Sequence, residues 1–227
     1  MDDQLAAATW PDVAEATTVL VPVGSIEQHG PHLPLDTDTT IANAVAAGAA
    51  QVLAARGTAV WVAPAIAYGS SGEHQAFAGT SSIGTSVLHD VIVELTRSMR
   101  TWATRVVLVN AHGGNLDALR GAVEQLQEEG HDVGWVACAT EAVDLHAGRT
   151  ETSLMLHLAP WNVRLTRAEA GNTGSLRELL PQMLAGGVKA VSANGVLGDP
   201  AGASAHEGRW VLDTMVRDVA MHVQSLR

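Results

Sequence analysis

Four short apolar, largely β-branched runs, at Thr17 to Val23, Thr58 to Ala65, Arg105 to Val109 and Val133 to Ala139, constrain this chain more than any other feature. Each is followed by a stretch of helical character. Continuous apolar runs belong to strands buried on both faces, and strands joined through helices run parallel. The pattern therefore predicts an α/β domain with a mainly parallel sheet covered on both sides. Helices are expected at Thr39 to Arg56, with Thr37 or Asp38 as N-cap and Gly57 as the stop, and at Thr85 to Ala103. Further helices are expected at Leu116 to Glu129, ended by Gly130, at Glu151 to Leu158, stopped by Pro160, and at Glu207 to Leu226. A short helix opening at Thr9, with Pro11 in its first turn and Asp12 and Glu15 near its positive end, precedes the first strand. Residues 161 to 202 are Gly-rich and read as a long functional loop around one helix, Ser175 to Leu184. Neither a repeat nor a linker interrupts the pattern, so residues 1–227 are expected to form a single domain.

Charge and cysteine content narrow the function. Thirteen Lys and Arg against 24 Asp and Glu leave a formal net charge of −11. That balance argues against nucleic acid and anionic membrane as partners. Cys138 is the single cysteine, so no intrachain disulfide forms, which fits a reducing compartment. No apolar run reaches the roughly twenty residues that cross a bilayer, and Met-Asp-Asp-Gln lacks the basic start of a signal peptide. A cytoplasmic location is the expectation.

Ligands of open α/β sheets bind beyond the carboxyl ends of the strands. Reactive side chains follow every strand here: Glu27, His29 and Asp38 the first, Ser70 and His74 the second, His112 the third, His146 and Glu151 the fourth. Four strand ends thus deliver polar groups to one rim. Residues 24 to 38 are the densest, Gly-Ser-Ile-Glu-Gln-His-Gly-Pro-His-Leu-Pro-Leu-Asp-Thr-Asp. Pro31 and Pro34 exclude a regular helix and favour extended geometry, in which Glu27 and His29, two apart, face the same way.

Carboxylates and imidazoles are the donors that zinc, manganese or iron accept. Glu27, His29, Asp38, His112 and Glu151 make five candidates. A single catalytic zinc takes about three protein ligands plus water. Five donors, one an aspartate able to bridge, suit two ions about 3.5–4 Å apart. Such a pair polarises a carbonyl and activates water near neutral pH, so hydrolysis of an amide-type bond is the expected chemistry. Glu151 is a candidate both as ligand and as acid/base group. His146, on the loop before Glu151, is the candidate general acid towards the leaving amine.

Ser70 and His74 are expected to line the substrate pocket, and Gly113 and Gly114 let the chain approach the ions or substrate closely. Arg149, just before a helix start, is expected to bind a carboxylate of the substrate or of the site, with Thr150 capping that helix. His89, His157 and His222, within helices, and His131, after a helix-ending glycine, are assigned structural or solvated roles. His32 is either a partner of a ligand or a loop hydrogen-bonder, and a non-catalytic binding module remains the alternative class.

Residues 24 to 38, Asn-Ala-His-Gly-Gly-Asn at 110 to 115, and His-Ala-Gly-Arg-Thr-Glu-Thr-Ser at 146 to 153 resemble the three signature blocks of the creatininase family of metal-dependent amidohydrolases. Gly-Val-Leu-Gly-Asp-Pro at 195 to 200 is similar as well. The resemblance implies a three-layer α/β/α fold, two divalent ions (zinc, iron(II) or manganese) and a homo-oligomer. It also implies that Glu27, His29, Asp38 and His112 are ligands, with Asp38 bridging. Creatinine-hydrolysing members carry Tyr and Glu where this chain has Gly113 and Gly114, and Trp where it has Ala142. The absent carboxylate leaves a ligand position for Glu151, and the absent aromatic walls argue against creatinine. The chain instead resembles the family's peptidases that trim a ribosomally made, modified precursor peptide near its C-terminus, releasing a Val-Tyr-derived fragment. Formamide deformylases and creatinine amidohydrolases are the alternatives.

Overall fold

In the computed structural model, residues 4–13, 17–139 and 144–225 are described. Four parallel strands, β1 (Thr18–Val23), β2 (Val60–Val62), β3 (Arg105–Asn110) and β4 (Val133–Ala137), lie in the order β2-β1-β3-β4. The central pair, β1 and β3, runs in register from Thr18 opposite Arg105 to Val23 opposite Asn110.

Alternation along these strands builds two cores. Leu20, Val107 and Val109 point to one face, which is covered by α1 (Thr37–Ala55), α4 (Arg149–Leu158) and α6 (Ala205–Ser225). Val19, Val21, Val23, Val106 and Leu108 point to the other, covered by α2 (Thr85–Met99) and α3 (Leu116–Glu128). Helix, sheet and helix make three layers, as the alternation and the resemblance imply. Burying β-branched side chains on both faces is what commits these runs to the sheet interior.

Several boundaries differ from expectation, each for a local reason. β2 is shorter because its own run carries Pro64 and its neighbour β1 carries Pro22, each lacking a ladder N–H; the Pro22 carbonyl accepts from Ile66 N at 2.9 Å. α2 stops at Met99, where Arg100–Ala103 turn back through Ala103 N to the Met99 carbonyl, 2.8 Å. The opening segment is a 3-10 turn, Trp10–Asp12, in which Thr9 and Asp12 form a capping box; Glu15 lies outside the described residues.

Between α4 and α6, helix α5 (Leu176–Gly186) is anchored by a small third core of Leu179, Val188 and Leu197 with Phe77 and Met183 against it. This core lays α5 across the carboxyl end of the sheet. Among the described residues, no helix is long and apolar enough to cross a membrane.

Candidate metal centre

Asn115 ties three strand ends together. Its side chain donates to the carbonyl of Gly24 after β1 (3.0 Å) and to Asn110 Oδ1 at the end of β3 (3.0 Å), and accepts from Ser70 N on the loop after β2 (2.8 Å). Gly24 is required at this point, because a Cβ would lie 2.5 Å from the Thr39 Cα. That close approach brings the first turn of α1, carrying Asp38, beside Glu27 and His29.

The five candidate donors meet at this rim. Asp38 lies between two histidines, its Oδ1 3.1 Å from His29 Nε2 and its Oδ2 3.5 Å from His112 Nδ1. Glu27 Oε2 is 3.1 Å from His112 Nε2, and Glu151 Oε2 is 3.9 Å from His29 Nε2. Glu27, His29, Asp38 and His112 are buried. Glu151 sits in the first turn of α4, held by the Ala147 amide at 2.5 Å; Ala147 adopts a left-handed conformation, φ 53°.

Hydrogen-bond partners assign the tautomers. His29 Nδ1 donates to the Glu27 carbonyl (3.1 Å), leaving Nε2 towards Asp38. His112 Nε2 donates to the Ser70 carbonyl (3.1 Å), leaving Nδ1 towards Asp38. Gln28 Oε1 accepts from Gly30 N (2.9 Å), so its Nε2 is the donor, directed to the Gly195 carbonyl (3.0 Å) and His74 Nδ1 (2.8 Å). His74 therefore carries its proton on Nε2, 3.3 Å from Glu27 Oε1. His146 Nε2 lies 2.8 Å from the Gln28 carbonyl and 3.0 Å from Gln28 Nε2, whose two hydrogens go to Gly195 and His74, so Nε2 donates to the carbonyl and Nδ1 is bare, 3.7 Å from Glu27 Oε1.

The electrostatics favour a cation. Burial opposes charge on both His29 and His112, yet Asp38, Glu151 and Glu27 around His29, and Glu27, Glu73 and Asp38 around His112, push each up to about 10. Burial raises Glu27 to about 7 and also raises Glu151. Burial, helped by His29 and His74, holds His146 well below the usual imidazole range, so it is neutral. Both Glu27 carboxylate oxygens and Asp38 Oδ2 are buried without a hydrogen bond of normal geometry. Orphaned carboxylate oxygens are costly, and a divalent ion satisfies them. Three overlapping sets offer ligand atoms within 4.8 Å of one another: Glu27, Asp38 and His112; His29, His146 and Glu151; Glu27, His74 and His146. The donors are the oxygen and nitrogen types that zinc, iron or manganese accept.

Asp38, Glu73, His74, His112, His146 and Glu151 line a cleft of about 550 Å³, with Glu27 and His29 buried outside its lining. Ser70, His74 and Gly113 line it, Ser70 with its hydroxyl on Thr85 Oγ1 (2.9 Å). Arg149 is a correction: its guanidinium lies on Glu207 of α6 (Nε to Oε2 2.8 Å), and it does not line the cleft. Thr150 is a second. The carboxylate of Asp144 caps α4, accepting from Arg149 N, Thr150 N (3.2 Å) and Thr150 Oγ1 (2.8 Å). His32 bonds Thr152 Oγ1 at 2.9 Å, and Ala142 lies outside the described residues.

Four residues of the rim and cleft are not among the sequence candidates: Gln28 and Asn115, although both stand in the quoted blocks, Glu73, after the second strand, and Arg120, mid-helix. Glu73 Oε1 lies 3.4 Å from His112 Nε2 and fills the space above Gly114, where a Cβ would come within 2.4 Å of it. The third carboxylate beside His112 thus arrives from a different loop.

Comparison with known proteins agrees with the geometry. A profile described as creatinine amidohydrolase matches residues 6–223. The mycofactocin precursor peptide peptidase of Mycobacterium ulcerans is 53% identical over 220 residues, covering 95% of this chain and 86% of that protein. The peptidase of the same name from Mycobacterium tuberculosis is 54% identical over 211 residues, covering 91% and 84%. The crystal structure of a creatinine amidohydrolase superposes with a TM-score of 0.80 at 24% identity, over 99% of this chain and 98% of the other. At that identity the likeness speaks for the fold. With a family profile spanning nearly its whole length and relatives above half identity, the chain belongs to the creatininase family.

Proposed function

We propose that this chain is a two-metal peptidase that cleaves the mycofactocin precursor peptide near its C-terminus. The observation that carries the reading is the Asp38 carboxylate, whose two oxygens face His29 Nε2 and His112 Nδ1 on opposite sides. Glu27, Asp38 and His112 would hold one ion and His29, Asp38 and Glu151 the other, each zinc, iron(II) or manganese. The identity to peptidases of that name supports the substrate.

A bound ion pair supplies a Lewis acid for the scissile carbonyl and makes water acidic enough to attack near neutral pH. The protein's own groups handle the protons. His146 is neutral with Nδ1 bare, so it accepts a proton from the attacking water at that atom and returns it to the leaving amine. It is base first and acid second. The Gln28 carbonyl fixes its ring, and paired backbone bonds between His146 and Leu197 (2.9 and 3.1 Å) fix its loop. His74, with its proton on Nε2, steadies Glu27 and remains beside the floor of the cleft.

Creatinine fits less well, since among the described residues lining the cleft the walls are leucines, with no Phe, Tyr or Trp. Homo-oligomer assembly and a cytoplasmic location accompany the same reading. Incubation of metal-loaded protein with the modified precursor peptide, followed by mass spectrometry, should reveal a released C-terminal fragment. An uncut peptide in the presence of two equivalents of bound metal would defeat the assignment.

A further inference from the structure

Two ions held by Glu27, His29, Asp38, His112 and Glu151 leave a third set of donors unused. Glu27 Oε2 faces His112, but Glu27 Oε1 is buried without a hydrogen bond of normal geometry. It points between two other rings, 3.3 Å from His74 Nε2 and 3.7 Å from His146 Nδ1. Glu27, His74 and His146 each offer a ligand atom within 4.8 Å of the others. One carboxylate and two imidazoles are a complete protein set for a zinc-type ion. An ion there would occupy His146 Nδ1 and take the lone pair that accepts the proton. Proton transfer by His146 therefore requires that this set stay closed to metal.

What closes it is the hydrogen on His74 Nε2, since an imidazole binds metal only through a bare nitrogen. Gln28 puts that hydrogen there. Its Nε2 donates to His74 Nδ1 (2.8 Å) and to the Gly195 carbonyl (3.0 Å), while its Oε1 accepts from Gly30 N (2.9 Å). A flipped amide would set its oxygen against the Gly195 carbonyl and its N–H against Gly30 N, so only one orientation satisfies all three partners. Gly195, at φ 84°, makes room for it; a Cβ there would collide with the Gln28 amide. Moving the His74 hydrogen to Nδ1 would bring it against the Gln28 N–H, two buried donors with no acceptor between them. That conflict weakens an ion at the third set by about 10–100-fold.

We infer that Gln28 is a positioning residue that shuts the Glu27, His74 and His146 set to a third divalent ion and so keeps His146 free to carry protons. Gln28 does not line the cleft and acts only through the two rings. The inference rests on the two-metal peptidase reading and adds to it how the number of ions is limited. The limit is set by the tautomer of one imidazole, not by a shortage of donors.

The test dialyses zinc-loaded protein against rising zinc and counts ions per chain by elemental analysis. NMR of isotope-labelled histidine reads which nitrogen of His74 carries hydrogen. The wild type should hold a constant count, with the His74 hydrogen on Nε2. Gln28→Glu offers His74 Nδ1 an acceptor and frees Nε2, so it should gain one ion, bound about tenfold or more tightly than any further ion on the wild type. Adding His74→Phe or His146→Phe should remove that extra ion. Gln28→Met, which deletes the donor without adding charge, should gain it more weakly, and thermal melts establish that each variant is folded. A His74 hydrogen on Nδ1 in the wild type, an extra ion on the wild type, no gain by either folded variant, or a gain that survives both phenylalanine substitutions overturns the inference. A wild type that holds other than two ions, or leaves the modified precursor peptide uncut, removes the two-metal peptidase reading instead; the one-ion gain of Gln28→Glu is read as a difference and is judged separately.

Discussion

Replacing Glu27 by glutamine should stabilise the metal-free protein while impairing the metal-loaded one. Glu27 is fully buried, and burial raises its carboxyl from 4.5 to about 7, with Asp38 adding to the rise and His112 and His29 opposing it. A carboxyl raised on folding costs nothing while both states are protonated, below the unfolded value. The cost grows as pH climbs from about 4.5 and is complete above about 7, where the folded protein must bear a buried anion. The difference, 7 − 4.5 = 2.5, corresponds to roughly 3 kcal/mol at about 1.36 kcal/mol for each pH unit. Glutamine keeps the shape and removes the charge. Metal-free Glu27→Gln should therefore melt higher than wild type at pH 8, by roughly 6–12 °C for a chain of this length, with the gap shrinking towards pH 5. Zinc or manganese at about a hundred times its dissociation constant should then raise the wild type by about 2.7 kcal/mol, and the variant by less. Thermal melts of chelator-treated and metal-loaded protein at several pH values read all of this. A metal-free variant no more stable than wild type at pH 8, or a gap that ignores pH, would refute the idea that Glu27 is held at a cost for a cation.

His29→Ala should lose bound metal together with activity, whereas His146→Ala should retain metal and lose turnover by about 10²–10⁴-fold; elemental analysis beside kinetics separates the two, and normal turnover by the second removes His146 as proton carrier. Glu73→Gln should lower metal affinity about 10–100-fold by chelator competition, and unchanged affinity would leave Glu73 as mere cleft lining. Asp144→Ala removes the acceptor for three donors in the first turn of α4 and should cost about 0.5–2 kcal/mol in urea unfolding. If stability is unchanged, the cap is dispensable.

How much of this was legible depended on whether the information was local. The runs at β1 and β3 are apolar whichever face they present, so their burial followed from composition alone, and their register set the centre of the sheet. β2 is shorter than its apolar run because that run carries its own proline, Pro64, a signal legible in the sequence, and the neighbouring strand carries Pro22. α4 begins at Arg149, two residues before the expected start, because the group that satisfies its amides is Asp144, outside the helix. The five ligand candidates were visible because they follow strand ends, where an α/β sheet gathers its chemistry. Glu73 also follows a strand, but only the missing side chain at Gly114 makes room for its carboxylate, and that is a fact about space. Arg149 and Arg120 differ in the same way. One sits within a motif and turns to Glu207; the other sits mid-helix, unmarked, and lines the cleft.

The two histidines that flank Glu27 show where a reading of residue types stops. His74 and His146 are both buried, both kept neutral, and both within 3.7 Å of the same Glu27 oxygen. Nothing in their spacing distinguishes a proton carrier from a support. Gln28 does. Its side-chain amide donates a hydrogen bond to His74 Nδ1 and so directs that ring's own N–H at Glu27, while its backbone carbonyl accepts from His146 Nε2 and leaves a bare Nδ1 towards the same carboxylate. One residue therefore sets opposite tautomers on two rings, and only the second ring has a vacant lone pair with which to accept a proton. The assignment of His146 to proton transfer thus depends less on its being a histidine near a carboxylate than on the Gln28 amide being locked by Gly30 N, which allows its oxygen only one orientation.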